Sequence, residues 1–112
     1  MRCPRCQTEN REGAQFCREC GAHTALGQRV GLATSQLDCI ATHDDHPAEF
    51  TELEHLVIRY AEQLTASATT DEALDQALRK HLSDRELVEL SVTVALANAT
   101  TRICNALKIE AD

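Results

Sequence analysis

The sequence predicts a small cysteine-based module followed by an all-α segment of three to four helices. Residues 1–22 hold four of the six cysteines of this 112-residue chain and have too little apolar content for a core of their own. From Ser35 onward, apolar residues recur at steps of three and four, which is the period of an amphipathic helix. The chain has two Phe, one Tyr and no Trp, so any core must be aliphatic.

The four N-terminal cysteines form two pairs, each with two residues inside the pair, and ten residues separate the pairs. A C-x-x-C turn points both sulfurs at one ion, and Zn²⁺ favours four thiolates in a tetrahedron. We therefore expect one structural Zn²⁺ bound by Cys3, Cys6, Cys17 and Cys20. Such a closed shell leaves no open position for metal catalysis. Disulfides or a redox pair are the alternative, but a redox C-x-x-C usually opens a helix inside a βαβ pattern, which this sequence lacks.

Residues 1–22, MRCPRCQTENREGAQFCRECGA, resemble the short zinc ribbons, made of β-hairpins or knuckles, that begin many bacterial proteins. The resemblance implies an accessory module that is structural or binds a protein partner, joined to an unrelated domain. Residues 23–34 contain two glycines and no clear period, so we interpret them as a linker. Residues 35–112 then form the helical segment.

Capping signals predict where the helices begin. A short helix is expected from Ser35 to about residue 41, followed by a turn at residues 43–47, where paired aspartates and Pro47 discourage helix continuation. Thr51 and Glu54 form a capping box that begins a helix ending near residues 65–67. Residues 70–72 open the next helix, with acids where the helix dipole favours them. A third capping box, at residues 83–86, begins the longest helix, at about 84–107.

The last predicted helix is apolar nearly all round between residues 90 and 99. Such a helix is buried on several sides, and the remaining helices are too few to cover it. We therefore expect a homo-oligomer that forms through the helix at about 84–107. Asn98 and Arg102 share one face of this helix, and we expect Arg102 to pair with an acid such as Glu89 across the interface.

Charge is distributed unevenly along the chain. Residues 1–30 carry five Arg and three Glu, whereas residues 31–112 carry six Lys or Arg and fifteen Asp or Glu. The acidic second segment would repel phosphate backbones, and stacking aromatics are few, so we expect no nucleic-acid partner. No apolar run approaches the roughly 18 residues of a membrane span, and no export signal is visible, so we expect a cytoplasmic protein without membrane contact.

A second resemblance covers about residues 31–110. The segments EHLVIRYAEQLT at 54–65, LSDRELVEL at 82–90 and RICNAL at 102–107, together with Asn98, are similar to the carboxymuconolactone decarboxylase (alkylhydroperoxidase D-like) superfamily. The resemblance implies an all-helical fold that assembles into homo-oligomers through buried helices. This implication agrees with the last predicted helix, which is more apolar than the other helices can cover. That helix indicates a partner chain independently of the resemblance.

Peroxidase-type members of that superfamily carry the motif E-x-x-C-x-x-C-x-x-x-H, in which the cysteines perform thiol–disulfide exchange while Glu and His assist proton transfer. Cys39 and His43 match its final C-x-x-x-H. Gln36 stands at the position of the first cysteine and Ala33 at that of the Glu, and a two-cysteine exchange cannot run with an amide in place of a thiol. The segment therefore looks like the C-terminal part of the superfamily's domain without its catalytic helix.

Two functional hypotheses follow from these patterns. The favoured one is a non-enzymatic, zinc-binding, self-associating protein, with the ribbon available for protein interaction or assembly. The alternative is a shortened enzyme of the decarboxylase or alkylhydroperoxidase type that uses Cys39 as its thiol and His43 as its base.

The remaining candidate residues have simpler interpretations. Cys39 fits a small core residue on a helical stripe, and so does Cys104. His43 and His46, with the aspartates between them, are possible weak metal ligands, although a solvated turn fits the pattern better. Both His55 and His81 are placed at the surface or at its boundary.

Overall fold

The computed structural model describes residues 1–3, 9–13 and 28–109. Four α-helices lie wholly within these ranges, and we label them α1 (Thr34–Cys39), α2 (Glu52–Ser67), α3 (Glu72–Arg79) and α4 (Asp84–Leu107). Two 3₁₀ helices, η1 (Ile40–Asp45) and η2 (Pro47–Glu49), stand between α1 and α2. The chain divides into two compact units, one made of Met1–Asp38 with Thr101–Asp112 and the other of Cys39–Thr100. The all-helical expectation for the second half of the chain is confirmed in the described residues.

The first unit contains a short contact at the start of the chain. Arg2 and Glu9 form an isolated antiparallel bridge. The Met1 ammonium group donates to the Glu9 carboxylate at 2.6 Å, and this bond lowers the pKa of Glu9. The hairpins expected for the ribbon fall mainly on residues 4–8 and 14–22, which lie outside the described residues, so they stay a prediction.

Helix α2 begins at the capping box that the sequence predicts. The Thr51 N–H donates to Glu54 Oε1 at 2.9 Å, and the Glu54 N–H donates to Thr51 Oγ1 at 3.2 Å. The helix ends where Ala68 adopts the left-handed conformation, with φ of 58°. Its N–H donates to the Leu64 carbonyl, which satisfies one of the last carbonyls of the helix.

Helix α4 also begins at its predicted capping box, and α3 begins within the predicted residues 70–72, where Asp71 is the N-cap. The Asp71 carboxylate accepts from the Leu74 N–H at 2.7 Å, and Gln63 donates to the same carboxylate at 2.6 Å. The bond from Gln63, followed by that from Leu74, lowers the pKa of Asp71. At α4, Glu86 accepts from the Ser83 N–H at 3.0 Å and its own N–H donates to the Ser83 hydroxyl at 3.2 Å. The bond from the Ser83 N–H to the carboxylate, with a smaller contribution from the Ser83 side chain, lowers the pKa of Glu86.

The main core cluster of the Cys39–Thr100 unit is aliphatic apart from one tyrosine. Its buried members come from α2, α3 and the start of α4, and they are Leu56, Tyr60, Leu74, Leu78 and Leu87. Leu78 is fully buried. The Ser91 hydroxyl donates to the Leu87 carbonyl at 2.7 Å, which leaves its lone pairs to accept the Tyr60 hydroxyl at 2.7 Å. This polar link fixes which face of α4 packs against α2.

The segment between α1 and α2 corrects one expectation. We expected a solvated turn at residues 43–47, but the backbone instead forms η1 and η2. The first of these is kinked at Thr42, with φ of −121° and ψ of 33°. Pro47 occupies the first turn of η2, where its missing N–H costs nothing and its fixed φ suits a helix start. Proline therefore starts a second helical turn here, although it still prevents η1 from continuing.

Candidate functional site

Of the four predicted zinc ligands, only Cys3 lies among the residues that the structure describes. Cys3 is half-buried in the structure, whereas Cys6, Cys17 and Cys20 lie outside the described residues. The donor set of four closely spaced thiolates is the set that Zn²⁺ prefers, so the chemistry of these residues fits the ion. Their tetrahedral arrangement stays a prediction.

Cys39 and His43, the thiol and base of the alternative hypothesis, are both buried, at 8% and 2% exposure. The burial of Cys39 agrees with its interpretation as a small core residue. Both ring nitrogens of His43 already lie against other groups. Its Nδ1 is 2.9 Å from the Nδ1 of His55, and its Nε2 is 2.9 Å from the Glu62 carboxylate. Both ring nitrogens of His43 are therefore engaged within this cluster.

Residues 44–47 are exposed, as expected for a solvated segment, whereas His43 is buried in a small polar cluster. The His43 and His55 rings lie with centroids 5.1 Å apart, and Phe50 packs edge-on against His55 at 5.4 Å. His43 is buried because α2 carries His55, Arg59 and Glu62 along the face that meets η1. His46, the other histidine of this segment, is exposed.

Asp44 is the exposed member of this cluster. Its Oδ1 lies 3.0 Å from Arg59 Nη2 and 3.6 Å from His43 Nδ1. The hydrogen bond from Arg59 lowers the pKa of Asp44, and the neighbouring His43 adds to this effect. An open cleft reaches Asp44, Phe50, His55 and Arg59. A charged carboxylate and an imidazole thus meet at a surface that solvent can enter.

Three members of the cluster were missed from the sequence. We expected His55 at the surface or its boundary and gave Arg59 and Glu62 no role. A signal was available, because the three residues stand at i, i+4 and i+7 and therefore share one face of α2. This face is opposite the apolar stripe, so α2 presents its apolar residues to the core and its polar residues to η1.

Helix α4 has one face toward the core and one apolar face toward solvent. The residues that are at least partly buried recur at helical spacing, as Leu87, Leu90, Ser91, Val94 and Asn98. Exposed large apolar residues recur on the other side, and these are Val88, Val92, Leu96, Ile103 and Leu107. They are 50% to 66% exposed, and we call them the α4 stripe.

Two further residues of α4 were candidates from the sequence. Asn98 lies against Thr65 of α2, with their side chains 3.0 Å apart, so its amide is used within the chain. Arg102 is exposed and Cys104 is half-buried. The expected pairing of Arg102 with an acid across an interface stays a prediction.

Helix α4 is also, by length and composition alone, long and apolar enough to cross a membrane, with 24 residues. Core helices of soluble proteins can pass the same test, although only 6% of the apolar window of α4 is buried. The sequence expectation rested on unbroken apolar runs, and α4 has none because Ser, Thr and Asn interrupt its apolar residues. The mean hydropathy of the helix is nevertheless high enough for a membrane span. The absence of membrane contact stays a prediction.

Comparison with known proteins identifies the N-terminal part of the chain. Residues 2–24 match the family model of the zinc-ribbon domain, and this range contains all four predicted ligands. The match indicates that this part of the chain binds zinc. Neither the curated proteins nor the solved structures contain a match to the chain.

Proposed function

We propose that this chain is a zinc-binding assembly protein, in which one structural Zn²⁺ holds the ribbon and the α4 stripe binds a second copy of the chain. The zinc-ribbon match supports the first part. The observation that carries the second part is the α4 stripe itself, five large aliphatic side chains exposed on one helix. Single exposed apolar residues are normal at protein surfaces, whereas a continuous row of them marks an interaction site.

The energy available from the stripe suits a weak to moderate dimer. Burying a Val, Leu or Ile side chain completely contributes about 1.5–3 kcal/mol, so burying the exposed half to two-thirds contributes about 1–2 kcal/mol each. Two copies together then gain roughly 10–20 kcal/mol from ten side chains. Association itself costs about 4–15 kcal/mol. The gain and the cost are of the same size, so the stripe suits a dimer that forms only as the protein concentration rises.

A second copy fits this face better than a lipid bilayer does. The other face of α4 is tied to α2 by the Tyr60–Ser91 and Thr65–Asn98 contacts. Moving α4 into a bilayer would therefore carry the charged residues of α2 with it or break these bonds. The exposed Arg85–Glu89 ion pair, at 3.2 Å, also stands beside the stripe at its N-terminal end.

The experiment compares two glutamate substitutions on the same helix. Leu96→Glu places a charge in the middle of the stripe, whereas Ala97→Glu places the same charge at the next exposed position, about 100° further round the helix. We expect the wild type and Ala97→Glu to show concentration-dependent dimers by light scattering, and Leu96→Glu to stay monomeric. Far-UV circular dichroism checks that both variants keep their helices.

Two results would overturn this function. Equal association of Leu96→Glu and the wild type would show that the stripe is not the interface. Flotation of a monomeric wild type with phosphatidylcholine vesicles, lost in Leu96→Glu but not in Ala97→Glu, would show that the stripe binds lipid instead.

The finer part of this proposal concerns the origin of the helical segment. We interpret residues 35–112 as a carboxymuconolactone decarboxylase-like segment that lacks the catalytic helix, supported by the sequence resemblance and by the all-helical fold. We propose that it has no peroxidase activity, because Cys39 is buried and both nitrogens of His43 have other partners. Thiol-dependent peroxide turnover that disappears in Cys39→Ser would contradict this interpretation.

A further inference from the structure

We propose that His43, His55 and Asp44 bind one divalent transition-metal ion, at a site separate from the cysteines of the ribbon. The three residues offer two imidazole nitrogens and one carboxylate oxygen that all lie within 4.8 Å of one another. All three belong to the Cys39–Thr100 unit. The site does not depend on self-association through α4.

The distances suit coordination to a single ion. The two Nδ1 atoms are 2.9 Å apart, and with metal–nitrogen bonds of ~2.0–2.1 Å they subtend an angle of about 90° at the ion. Asp44 Oδ1 is 3.6 Å from His43 Nδ1, which corresponds to an angle of about 120° with bonds of similar length. Angles of this size occur in four- and five-coordinate sites.

Glu62 prepares His43 as a ligand. An ionised carboxylate only accepts hydrogen bonds, so the contact at 2.9 Å places a proton on His43 Nε2. In neutral His43 the lone pair is then on Nδ1, the atom that faces His55. A carboxylate behind a metal-binding histidine is a common arrangement, because it fixes the tautomer and raises the basicity of the ligand.

His55 is positioned by packing rather than by hydrogen bonds on its far side. Its Nε2 is buried and has no hydrogen-bond partner among the described residues. Its ring rests edge-on against Phe50 at 5.4 Å. Its Nδ1 is therefore the nitrogen through which this ring makes its polar contact. Without metal, the His55 Nδ1 proton lies between the two Nδ1 atoms. When the ion binds, His55 would take the tautomer with its proton on Nε2, so that both Nδ1 lone pairs face the ion.

The donor set defines the class of ion. Two imidazoles and one carboxylate suit Zn²⁺, Co²⁺ or Ni²⁺ better than Mg²⁺ or Ca²⁺, which prefer oxygen ligands. Three protein ligands leave at least one position for water, and the cleft that reaches Asp44 and His55 gives the ion a path from solvent. Arg59 competes for the Asp44 carboxylate at 3.0 Å, so it weakens metal binding without blocking it.

The experiment uses the full chain with the ribbon already saturated by one equivalent of Zn²⁺. Co²⁺ is then titrated in and followed by visible absorption and isothermal titration calorimetry. We expect one further equivalent to bind, with the d–d bands of a nitrogen and oxygen site and without new thiolate charge-transfer bands. Failure to bind a further equivalent of Co²⁺ or Zn²⁺ overturns the site.

Matched variants of the same residue type identify the ligands. Asp44→Asn should weaken Co²⁺ binding by at least ~10–100-fold, since even the loss of a supporting contact costs that much. Asp45→Asn, the neighbouring carboxylate, should bind as the wild type does. Likewise His55→Asn should lose the site and His46→Asn should keep it. Equal affinity in the members of either pair means adventitious surface binding and overturns the proposal.

Arg59→Gln gives a result that a purely structural role for the cluster would not produce. Removing the competing guanidinium frees Asp44, so Co²⁺ should bind several-fold more tightly than to the wild type. Weaker binding, with the helical circular dichroism unchanged, would contradict the assignment of Asp44 as a ligand. Because His43 is buried, His43→Asn can fail to fold, and the site is therefore judged on the exposed Asp44 and on His55.

Discussion

The Tyr60 hydroxyl connects α2 to α4, and its removal tests which face of α4 packs inward. In Tyr60→Phe the ring stays in the core and only the bond of 2.7 Å to Ser91 is lost. Ser91 keeps its own bond to the Leu87 carbonyl, so no buried donor is left unpaired. The free energy of unfolding should therefore fall by about 0.5–1.5 kcal/mol, the usual net worth of one hydrogen bond.

Ser91→Ala should lower the free energy of unfolding more than Tyr60→Phe does. It leaves the Tyr60 hydroxyl, on a side chain that is only 8% exposed, without its partner. A buried polar group left unpaired costs about 1–3 kcal/mol. In the double variant both groups are absent, so its cost should be smaller than the sum of the single costs by about 1 kcal/mol.

Urea denaturation of the zinc-saturated protein, followed by far-UV circular dichroism, measures the free energy of unfolding of the wild type, the two single variants and the double variant. Thr93→Ala is the matched control, because the Thr93 hydroxyl makes the same kind of backbone bond, to the Glu89 carbonyl at 2.7 Å, on the exposed side of α4. Its effect should add to that of Tyr60→Phe without coupling. If Tyr60→Phe and Ser91→Ala are additive within about 0.3 kcal/mol, Ser91 does not face α2, and the assignment of the exposed stripe fails as well.

Three further predictions concern the caps, the zinc and the pH. Thr51→Ala should lower the free energy of unfolding by about 1 kcal/mol through loss of the α2 cap, measured by urea denaturation, whereas no change would contradict the capping box. Removal of zinc with a chelator should alter amide hydrogen exchange in residues 1–22 and leave the helical circular dichroism intact; wholesale loss of helix would refute two separate modules. The pKa values of Asp71 and Glu86 lie below their ordinary values of 3.8 and 4.5, so their contribution to stability is present above about pH 4.5 and is lost as the pH falls through the lowered values. The urea midpoint should drop on acidification, less so in Asp71→Asn, and equal slopes would show that this carboxylate makes no such bond.

Much of the helical fold was predictable because its signals are local. The capping boxes at Thr51 and Ser83 act on backbone groups within three residues, and the acids at residues 70–72 act on the first turn of α3, so the sequence alone locates the starts of α2, α3 and α4. The apolar steps of three and four likewise predicted the core face of α2. The bounds of α4, Asp84–Leu107, agree with the predicted range.

The polar cluster was not predictable in the same way, because it depends on a contact between separate elements. His43 and His55 are twelve residues apart in the chain and meet only because α2 turns its polar face toward η1. In the sequence, His43 stands between Thr42 and Asp44 near a proline, which is the composition of an exposed turn. Its burial follows from tertiary packing, which overrides the local pattern.

The most direct test of the account is the mass of the zinc-loaded full chain in solution. Sedimentation equilibrium between about 1 and 300 µM covers the concentrations at which a weak dimer forms. We predict a weight-average mass that rises from the monomer value of 12.3 kDa toward twice that value across this range. A mass that stays at the monomer value up to the highest concentration would contradict self-association through α4.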